Sequence, residues 1–172
     1  MNMAYEIERK FLVEFPDVKK LDVRRRIGIT QTYLVNGEHD SQRRVRRIDE
    51  DGNISYTYTE KIFITPVTRK EDEKVISSED YDRLLGQART DFKPVEKVRY
   101  AFDYHGQLFE LDTYPFSDSL AIMELEMKTA DQVIDFPDNV RVIKDVSADK
   151  RYSNSALVLA GKFPADRIGE QS

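Results

Sequence analysis

Charged side chains recur at every second position in one candidate strand after another, and this alternation constrains the fold more than any other feature. The first example lies between Tyr5 and Val13, where Glu6, Glu8 and Lys10 are spaced by two. In a β-strand, residues i, i+2 and i+4 share one face. Two carboxylates and an ammonium group would therefore line one side of the opening strand. Carboxylate oxygens suit a hard divalent cation, and lysine suits a phosphate group.

The period-two rhythm continues along the chain and predicts eight strands separated by turn signals. Residues 49–53 and the pair His105-Gly106 suit hairpin loops, and short connections make neighbouring strands antiparallel. The predicted strands cover residues 4–13, 31–36, 42–49, 54–64, 68–76, 95–105, 107–114 and 119–127.

Helical signals are fewer. Ser77 begins a capped helix, Thr129 with Gln132 predicts a short helix ending before Pro137, and residues 152–160 predict a last helix. Eight antiparallel strands in one small domain favour a closed barrel, which also removes exposed strand edges. We therefore predict a mainly β (α+β) fold, an eight-stranded antiparallel closed β-barrel or tunnel with a few peripheral helices.

Most of the predicted strands carry same-sign charged pairs on one face. Such pairs repel each other unless opposite charge neutralises them. If the barrel closes with these faces inward, the lumen holds carboxylates for Mg²⁺ or Mn²⁺ and Arg and Lys for phosphoryl oxygens, while helices cover the apolar outer faces. The ordinary alternative is a half-solvated sheet whose charges face water. The charged positions after the first strand are Arg44 and Arg46, Lys61, Glu71 and Glu73, Lys97 and Arg99, Glu110 and Asp112, and Glu124 and Glu126.

Composition narrows the class of protein. The chain has 172 residues, 34% of them charged, with a net charge of −5 and no cysteine. We expect a single domain over residues 1–172, with its core at about 4–160 and a polar tail at 165–172. No apolar run is long enough to cross a membrane, and no signal peptide is visible, so we expect a cytoplasmic protein without a membrane partner. The acidic balance argues against a nucleic-acid polymer but permits a small polyanion.

Three consecutive arginines, Arg24, Arg25 and Arg26, form a tempting phosphate clamp. Three consecutive residues cannot share one face of a strand. We interpret them as a solvated segment before the second strand.

The ordered set of motifs resembles the triphosphate tunnel metalloenzymes, or CYTH domain proteins, in their short bacterial branch. Glu6, Glu8 and Lys10 match the Glu-x-Glu-x-Lys signature of that family. The resemblance covers residues 4 to 160. Its further matches, in the family's order, are Thr32-Tyr33-Leu34, Arg44-Val45-Arg46, Lys61, Glu71 with Glu73, Glu96-Lys97-Val98-Arg99-Tyr100, Phe109-Glu110-Leu111-Asp112, Glu124-Leu125-Glu126 and Asp149-Lys150-Arg151-Tyr152-Ser153-Asn154.

The resemblance implies a tunnel that binds a triphosphate with divalent metal and cleaves a phosphoanhydride bond. It implies metal ligands at Glu6, Glu8, Glu124 and Glu126. It implies phosphate contacts from Lys10, Arg44, Arg46, Lys61, Lys97, Arg99 and Arg151. Supporting acidic roles, such as a second metal or orientation of the basic residues, would fall to Glu71, Glu73, Glu110 and Asp112.

The resemblance also implies a catalytic pair, Tyr33 beside Lys97, that activates water, with Lys10 as a further catalytic residue. We expect hydrolysis of inorganic tripolyphosphate to pyrophosphate and phosphate. The alternatives are an adenylate cyclase or thiamine triphosphatase acting on an organic triphosphate, a non-catalytic module that binds polyphosphate, and a plain structural β-domain. The preferred metal and the oligomeric state stay open, a homodimer included.

Overall fold

The structure, a computed structural model, describes residues 4–165 and consists of nine strands in one sheet, two α-helices and three short 3₁₀ turns. The strands are β1 (Ala4–Glu14), β2 (Asp22–Leu34), β3 (Gln42–Glu50), β4 (Asn53–Phe63), β5 (Thr68–Ile76), β6 (Val95–Tyr104), β7 (Gln107–Thr113), β8 (Leu120–Met127) and β9 (Val142–Asp145). The helices are α1 (Ser78–Leu85) and α2 (Asn154–Ala160), and the 3₁₀ turns are Val18–Lys20, Glu38–Asp40 and Lys150–Tyr152.

The first eight strands close into an antiparallel barrel. Their order is β5-β4-β3-β2-β6-β7-β8-β1, and β1 also pairs with β5, which joins the two ends. The closing contact pairs Ala4 with Glu71 and Ile7 with Thr68. β9 lies outside this ring and pairs with β1 further along, from Phe11 to Val13. The predicted eight-stranded closed barrel is confirmed, and β9 is an additional strand.

Two tight turns position neighbouring strands as the sequence predicts. Asp51 and Gly52 have φ values of 54° and 85° between β3 and β4, and His105 and Gly106 have φ values of 49° and 77° between β6 and β7. Positive φ at both central residues is typical of the turn whose twist matches that of paired strands.

The apolar faces of the strands point away from the lumen and are covered from outside. On β1, β6, β7 and β8 this face is buried under the segment 128–141, which contributes Ile134, Phe136 and Val140. On β2 and β3 it packs against α1, where Tyr81 and Leu84 meet Leu34 and Val45. The charged faces point inward, as predicted. Helices were expected to cover both apolar outer faces, but only α1 is a helix, and the segment 128–141 is not.

One end of the lumen is filled by apolar side chains rather than by charge. These side chains continue the same strand faces beyond the charged positions, as Leu12 does after Lys10 and Ile122 does before Glu124. Helix α2 adds Leu157 to this cluster. The Ser153 side chain caps the helix, and Gly161 ends it in the left-handed conformation at φ 69°. The lumen is thus a cavity with a closed floor.

Two local predictions were wrong. Thr129 and Gln132 do not begin a helix, because the Gln132 side chain instead accepts a hydrogen bond from the Lys128 backbone at 2.8 Å and the following chain lies extended over the outer apolar face. The three arginines 24–26 belong to β2 and do not precede it. An irregularity between Val23 and Arg25 in the pairing with β6 allows all three to stay exposed.

Within residues 4–165, neither α-helix has the length or the apolar character needed to cross a membrane. Of the tail expected at 165–172, only Ala165 is described, and the rest lies outside the described residues.

Candidate functional site

A cavity of about 830 Å³ occupies the charged part of the lumen, and all eight barrel strands contribute to its wall. Eight carboxylates and seven cationic side chains line it, so their charges nearly cancel. The predicted site residues on the wall are Glu6, Glu8, Lys10, Tyr33, Arg44, Arg46, Lys61, Glu71, Glu73, Arg99, Glu110, Glu124 and Glu126. Lys97, Asp112 and Arg151 do not line the cavity.

Acidic and basic side chains pair across neighbouring strands at the junction of β1, β4 and β5. Arg69 Nη2 lies 2.6 Å from Glu8 Oε1, and Lys61 Nζ lies 3.0 Å from Glu71 Oε2. Sequence reasoning missed Arg69, although its spacing of two from Glu71 was the signal that could have found it. These pairs hold the two carboxylates in fixed positions on the wall.

Glu6 and Glu71 form a close carboxyl pair on the wall, and their pKa values are shifted in opposite directions. Burial raises the pKa of Glu6 to about 8, and the neighbouring Glu71 carboxylate adds to the rise. Burial alone would raise the pKa of Glu71 as well, but the contact with Glu6 and the Lys61 ammonium group lower it to about 2. Two close carboxyl groups cannot both ionise at little cost.

The arginines of β3 form the most positive part of the wall. Arg44 Nε is buried and has no hydrogen-bond partner among the described residues. Burial lowers the pKa of Arg46 to about 9, and the positive charges of Arg44 and Arg99 lower it further. Buried like charges of this kind need a counter-anion to be stable. This region therefore suits a bound polyanion.

A layer of buried ion pairs lies between the cavity and the apolar side chains that close its floor. The side chains of Lys97 and Asp112 are both 0% exposed, and Lys97 Nζ lies 2.7 Å from Asp112 Oδ2. Arg99 Nε and Nη2 donate to the two oxygens of Asp112 at 2.7 and 2.9 Å. Burial lowers the pKa of Lys97 to about 7, against the opposing charge of Asp112. Asp112 thereby holds Arg99, a residue of the cavity wall, in place.

The placement of Lys97 differs from the expected one. Lys97 Nζ also donates to Asn154 Oδ1 at 3.3 Å, and the Tyr114 hydroxyl donates to the same oxygen. Asn154 lines the cavity, whereas Lys97 does not. Lys97 lies on the same strand face as Arg99 but one step deeper in the barrel, where apolar side chains close the floor. In this structure Lys97 contacts a residue of the cavity wall and not the cavity itself.

Arg99 extends from this buried layer up to the cavity. Its Nη1 lies 3.3 Å from Glu110 Oε2, and its Nη2 lies 3.6 Å from Glu124 Oε2. Lys10 Nζ is 3.8 Å from the other Glu124 oxygen. Burial raises the pKa of Glu110, and the Arg99 charge opposes this rise. Glu124 therefore lies between two cations that also face the cavity.

Tyr33 lies on the cavity wall with its ring packed edge-on against Phe92, at a centroid distance of 5.0 Å. Its hydroxyl accepts a hydrogen bond from Gln31 Nε2 at 2.8 Å. Among residues 4–165, the hydrogen bonds of Tyr33 and Lys97 go to other side chains, and none joins the two to each other.

Arg151 lies in the 3₁₀ turn beside α2 and, unlike the two residues before it, does not line the cavity. Its Nη2 donates to Asp149 Oδ2 at 2.6 Å, while Asp149 and Lys150 line the cavity. A helical turn rotates each residue by a large angle. Period-two reasoning therefore could not identify the residue of this turn that faces the lumen.

The carboxylates of the wall fit a hard divalent cation whose remaining ligands are water and substrate phosphate oxygens. Glu6 Oε2 is buried on the wall and has no hydrogen-bond partner among the described residues. Residues 4–165 contain no group of three acidic or histidine side chains arranged as a ready-made metal centre. Mg²⁺ is commonly held by one or two carboxylates together with water and substrate phosphates, which this arrangement permits.

Comparisons with known proteins agree with the geometry. The model of the CYTH domain family matches residues 4–144. An inorganic triphosphatase of Nitrosomonas europaea is 33% identical over 158 residues, which are 90% of this chain and 97% of that protein. A crystal structure of an inorganic triphosphatase, also 33% identical, aligns over 89% of this chain and 97% of its own with a TM-score of 0.55.

A more distant structure, from Pyrococcus horikoshii, shares the fold at 19% identity and a TM-score of 0.55, over 73% of this chain and 80% of its own. The family match covers most of the chain and includes β1 and every other strand of the closed barrel. The chain belongs to the CYTH domain family.

Proposed function

We propose that this protein hydrolyses triphosphates, with inorganic tripolyphosphate as the preferred substrate, and that the reaction depends on Mg²⁺ or Mn²⁺. The observation that carries this proposal is the cavity itself, in which buried arginines and further lysines share the wall with carboxylates around a lumen of about 830 Å³. Cavities of this size commonly hold small ligands. The similarity to an inorganic triphosphatase, at 33% identity over 90% of the chain, supports the same substrate class.

The cations of the wall would bind the phosphate groups. Arg44 has a buried Nε without a partner, and Arg46 lies beside it, so both can donate to phosphoryl oxygens. The remaining contacts are proposed for Lys10, Lys61 and Arg99, with Arg69 added from the structure.

The charge balance supports dependence on a metal. Because the wall carries about as many carboxylates as cations, its side chains alone cannot neutralise a triphosphate. We propose Glu6 and Glu8 of β1 and Glu124 and Glu126 of β8 as the residues that hold the cation. When bound, a divalent cation neutralises phosphoryl oxygens and lowers the pKa of coordinated water.

Phosphoryl transfer depends mostly on positioning and on neutralising charge, and the chain supplies both. Arg44 and Arg46 would orient the phosphates. Tyr33 lines the wall, where its hydroxyl can orient a water molecule or a phosphoryl oxygen by a hydrogen bond. Lys97 would act indirectly, through its bonds to Asp112 and Asn154.

One observation favours an organic triphosphate as a second candidate substrate. Phe63 and Ile64, with exposures of 55% and 49%, lie on the lining of the charged cavity. Phe63 is the last residue of β4 and Ile64 the first of the β4–β5 connection, and the exposed Phe63 ring could stack on a ring attached to the triphosphate. This candidate covers adenylate cyclase and thiamine triphosphatase chemistry.

A substrate panel tests the proposal. Purified protein is incubated with tripolyphosphate, ATP or thiamine triphosphate in Mg²⁺, Mn²⁺ or EDTA, and phosphate and cyclic AMP are measured. We expect phosphate from tripolyphosphate with either metal and none in EDTA. Glu6→Gln should lower kcat/KM by about 10²-fold or more, in the range of a lost transition-state interaction.

Glu14→Gln is the matched control, because Glu14 lies on the same strand but outside the cavity, in an exposed pair with Arg141. It should retain wild-type activity. Tripolyphosphate binding without turnover in any metal would favour the non-catalytic polyphosphate module. Faster release from an organic triphosphate would favour the second candidate.

A further inference from the structure

Gln31 is a fully buried amide that lies between an arginine and the tyrosine of the cavity wall. It shares a face of β2 with Tyr33 and lies directly opposite Arg46 of β3. Arg46 Nε donates to Gln31 Oε1 at 2.6 Å, and Gln31 Nε2 donates to the Tyr33 hydroxyl oxygen at 2.8 Å. Gln31 itself does not line the cavity, so it cannot touch a ligand bound there.

The direction of both hydrogen bonds follows from chemistry. An arginine carries only donors, so the carbonyl oxygen of Gln31 must face Arg46 and its NH₂ group must face Tyr33. The Tyr33 oxygen therefore accepts this bond. The hydroxyl hydrogen of Tyr33 is then directed away from Gln31, and Tyr33 itself lines the cavity.

We propose that Gln31 is a positioning residue, one that sets the orientation of the phosphate-binding Arg46 and the hydrogen-bond direction of Tyr33 together. This inference rests on the proposed function, because it assigns how two residues of that site are prepared for water and phosphate. Arg46 and Tyr33 belong to different strands, and the Gln31 amide is the bridge between them.

A neutral amide is the group that this position requires. A carboxylate there would pair with Arg46 equally well, but it has no hydrogen to donate to Tyr33. The Tyr33 hydroxyl would then donate to the carboxylate, and its hydrogen would no longer be available to a ligand or water in the cavity. Gln31→Glu therefore keeps the shape and the bond to Arg46 while it reverses the bond to Tyr33.

The test is a double-mutant cycle in tripolyphosphate hydrolysis with Gln31→Glu, Tyr33→Phe and the combination. We expect Gln31→Glu to lower kcat by about 10²-fold, the size of the loss when one hydrogen-bond donor to the transition state is removed. KM should change by less than about threefold, because Arg46 keeps its acceptor. In the Tyr33→Phe background, Gln31→Glu should lower kcat by no more than about twofold, because the group it acts through is gone.

Thr30→Val is the matched control, since Thr30 lies on the opposite face of β2, outside the cavity lining, and should leave kcat and KM unchanged. If Gln31→Glu does not fold, the same cycle is run with Gln31→Met, which loses both bonds and should raise KM as well. An active wild type with an unchanged Gln31→Glu variant, or with additive losses in the cycle, overturns this inference alone. A wild type without activity overturns the proposed function and this inference together.

Discussion

Replacing Asp112 by asparagine removes one negative charge from the buried layer under the cavity and leaves the side-chain shape unchanged. Asp112 is 0% exposed and lies within 2.7 Å of both Lys97 Nζ and Arg99 Nε. The variant leaves the Arg99 guanidinium and the charged form of Lys97 against a neutral amide. Asparagine also turns an NH₂ group, which is a donor, toward one of two cationic donors. The change should therefore destabilise the fold strongly.

The magnitude follows from the contacts that remain. Breaking a buried ion pair by removing one partner costs about 3–5 kcal/mol. Arg99 keeps Glu110 and Glu124 as partners at 3.3 and 3.6 Å, which places the expected loss at the lower end, ~3 kcal/mol. For a domain of this length, that loss lowers Tm by roughly 6–12 °C.

The assay is urea unfolding at pH 7, followed by circular dichroism. The matched control is Asp131→Asn, at an exposed position, which should change the free energy of unfolding by less than about 0.5 kcal/mol. Lys97→Met combined with Asp112→Asn should cost less than the two single changes added together, because it removes one stranded cation. A loss below ~1 kcal/mol for Asp112→Asn would refute the reasoning that this layer holds the barrel interior together.

Two further predictions concern pH and the closing helix. The folded pKa of Lys97 is about 7 against 10.5 for the free side chain, so between those values the unfolded state binds more protons and stability rises with pH. Lys97→Met should reduce the gain in unfolding free energy between pH 7 and about pH 9.5, and an unchanged gain would contradict the burial of this ammonium group. Ser153→Ala removes the side chain that caps α2 and should lower the free energy of unfolding by about 1 kcal/mol in urea titrations. No change there would mean that the cap does not stabilise the helix.

The barrel could be predicted from the sequence because the features that indicate it, alternation within a strand and tight turns between strands, involve residues close together in the chain. Alternation decides which face each side chain takes, and the turn at His105-Gly106 joins its two strands as an antiparallel hairpin. The short strand β9 was not predictable in this way. Its four residues pair only with Phe11 to Val13 of β1, a contact between distant parts of the chain.

The position of a side chain along the barrel axis also could not be inferred from the residues next to it in the sequence. Lys97 and Arg99 share one face, yet only Arg99 lines the cavity, because barrel closure places Lys97 beside the apolar floor. The site was predicted from charged positions, and Gln31 carries no charge. Its bridge between Arg46 and Tyr33 becomes visible only when the register of β2 and β3 is known. Face can be inferred from spacing, whereas depth and cross-strand partners require the closed sheet.

The most direct test of the charged cavity is a crystal structure of the protein with tripolyphosphate and Mn²⁺, with anomalous scattering used to locate the metal. The phosphate chain should lie inside the barrel, in contact with Arg44 and Arg46, and Mn²⁺ should be bonded to phosphate oxygens and to a carboxylate of Glu6 or Glu8. A ligand bound on the outer surface, with the lumen side chains still paired among themselves, would contradict this expectation.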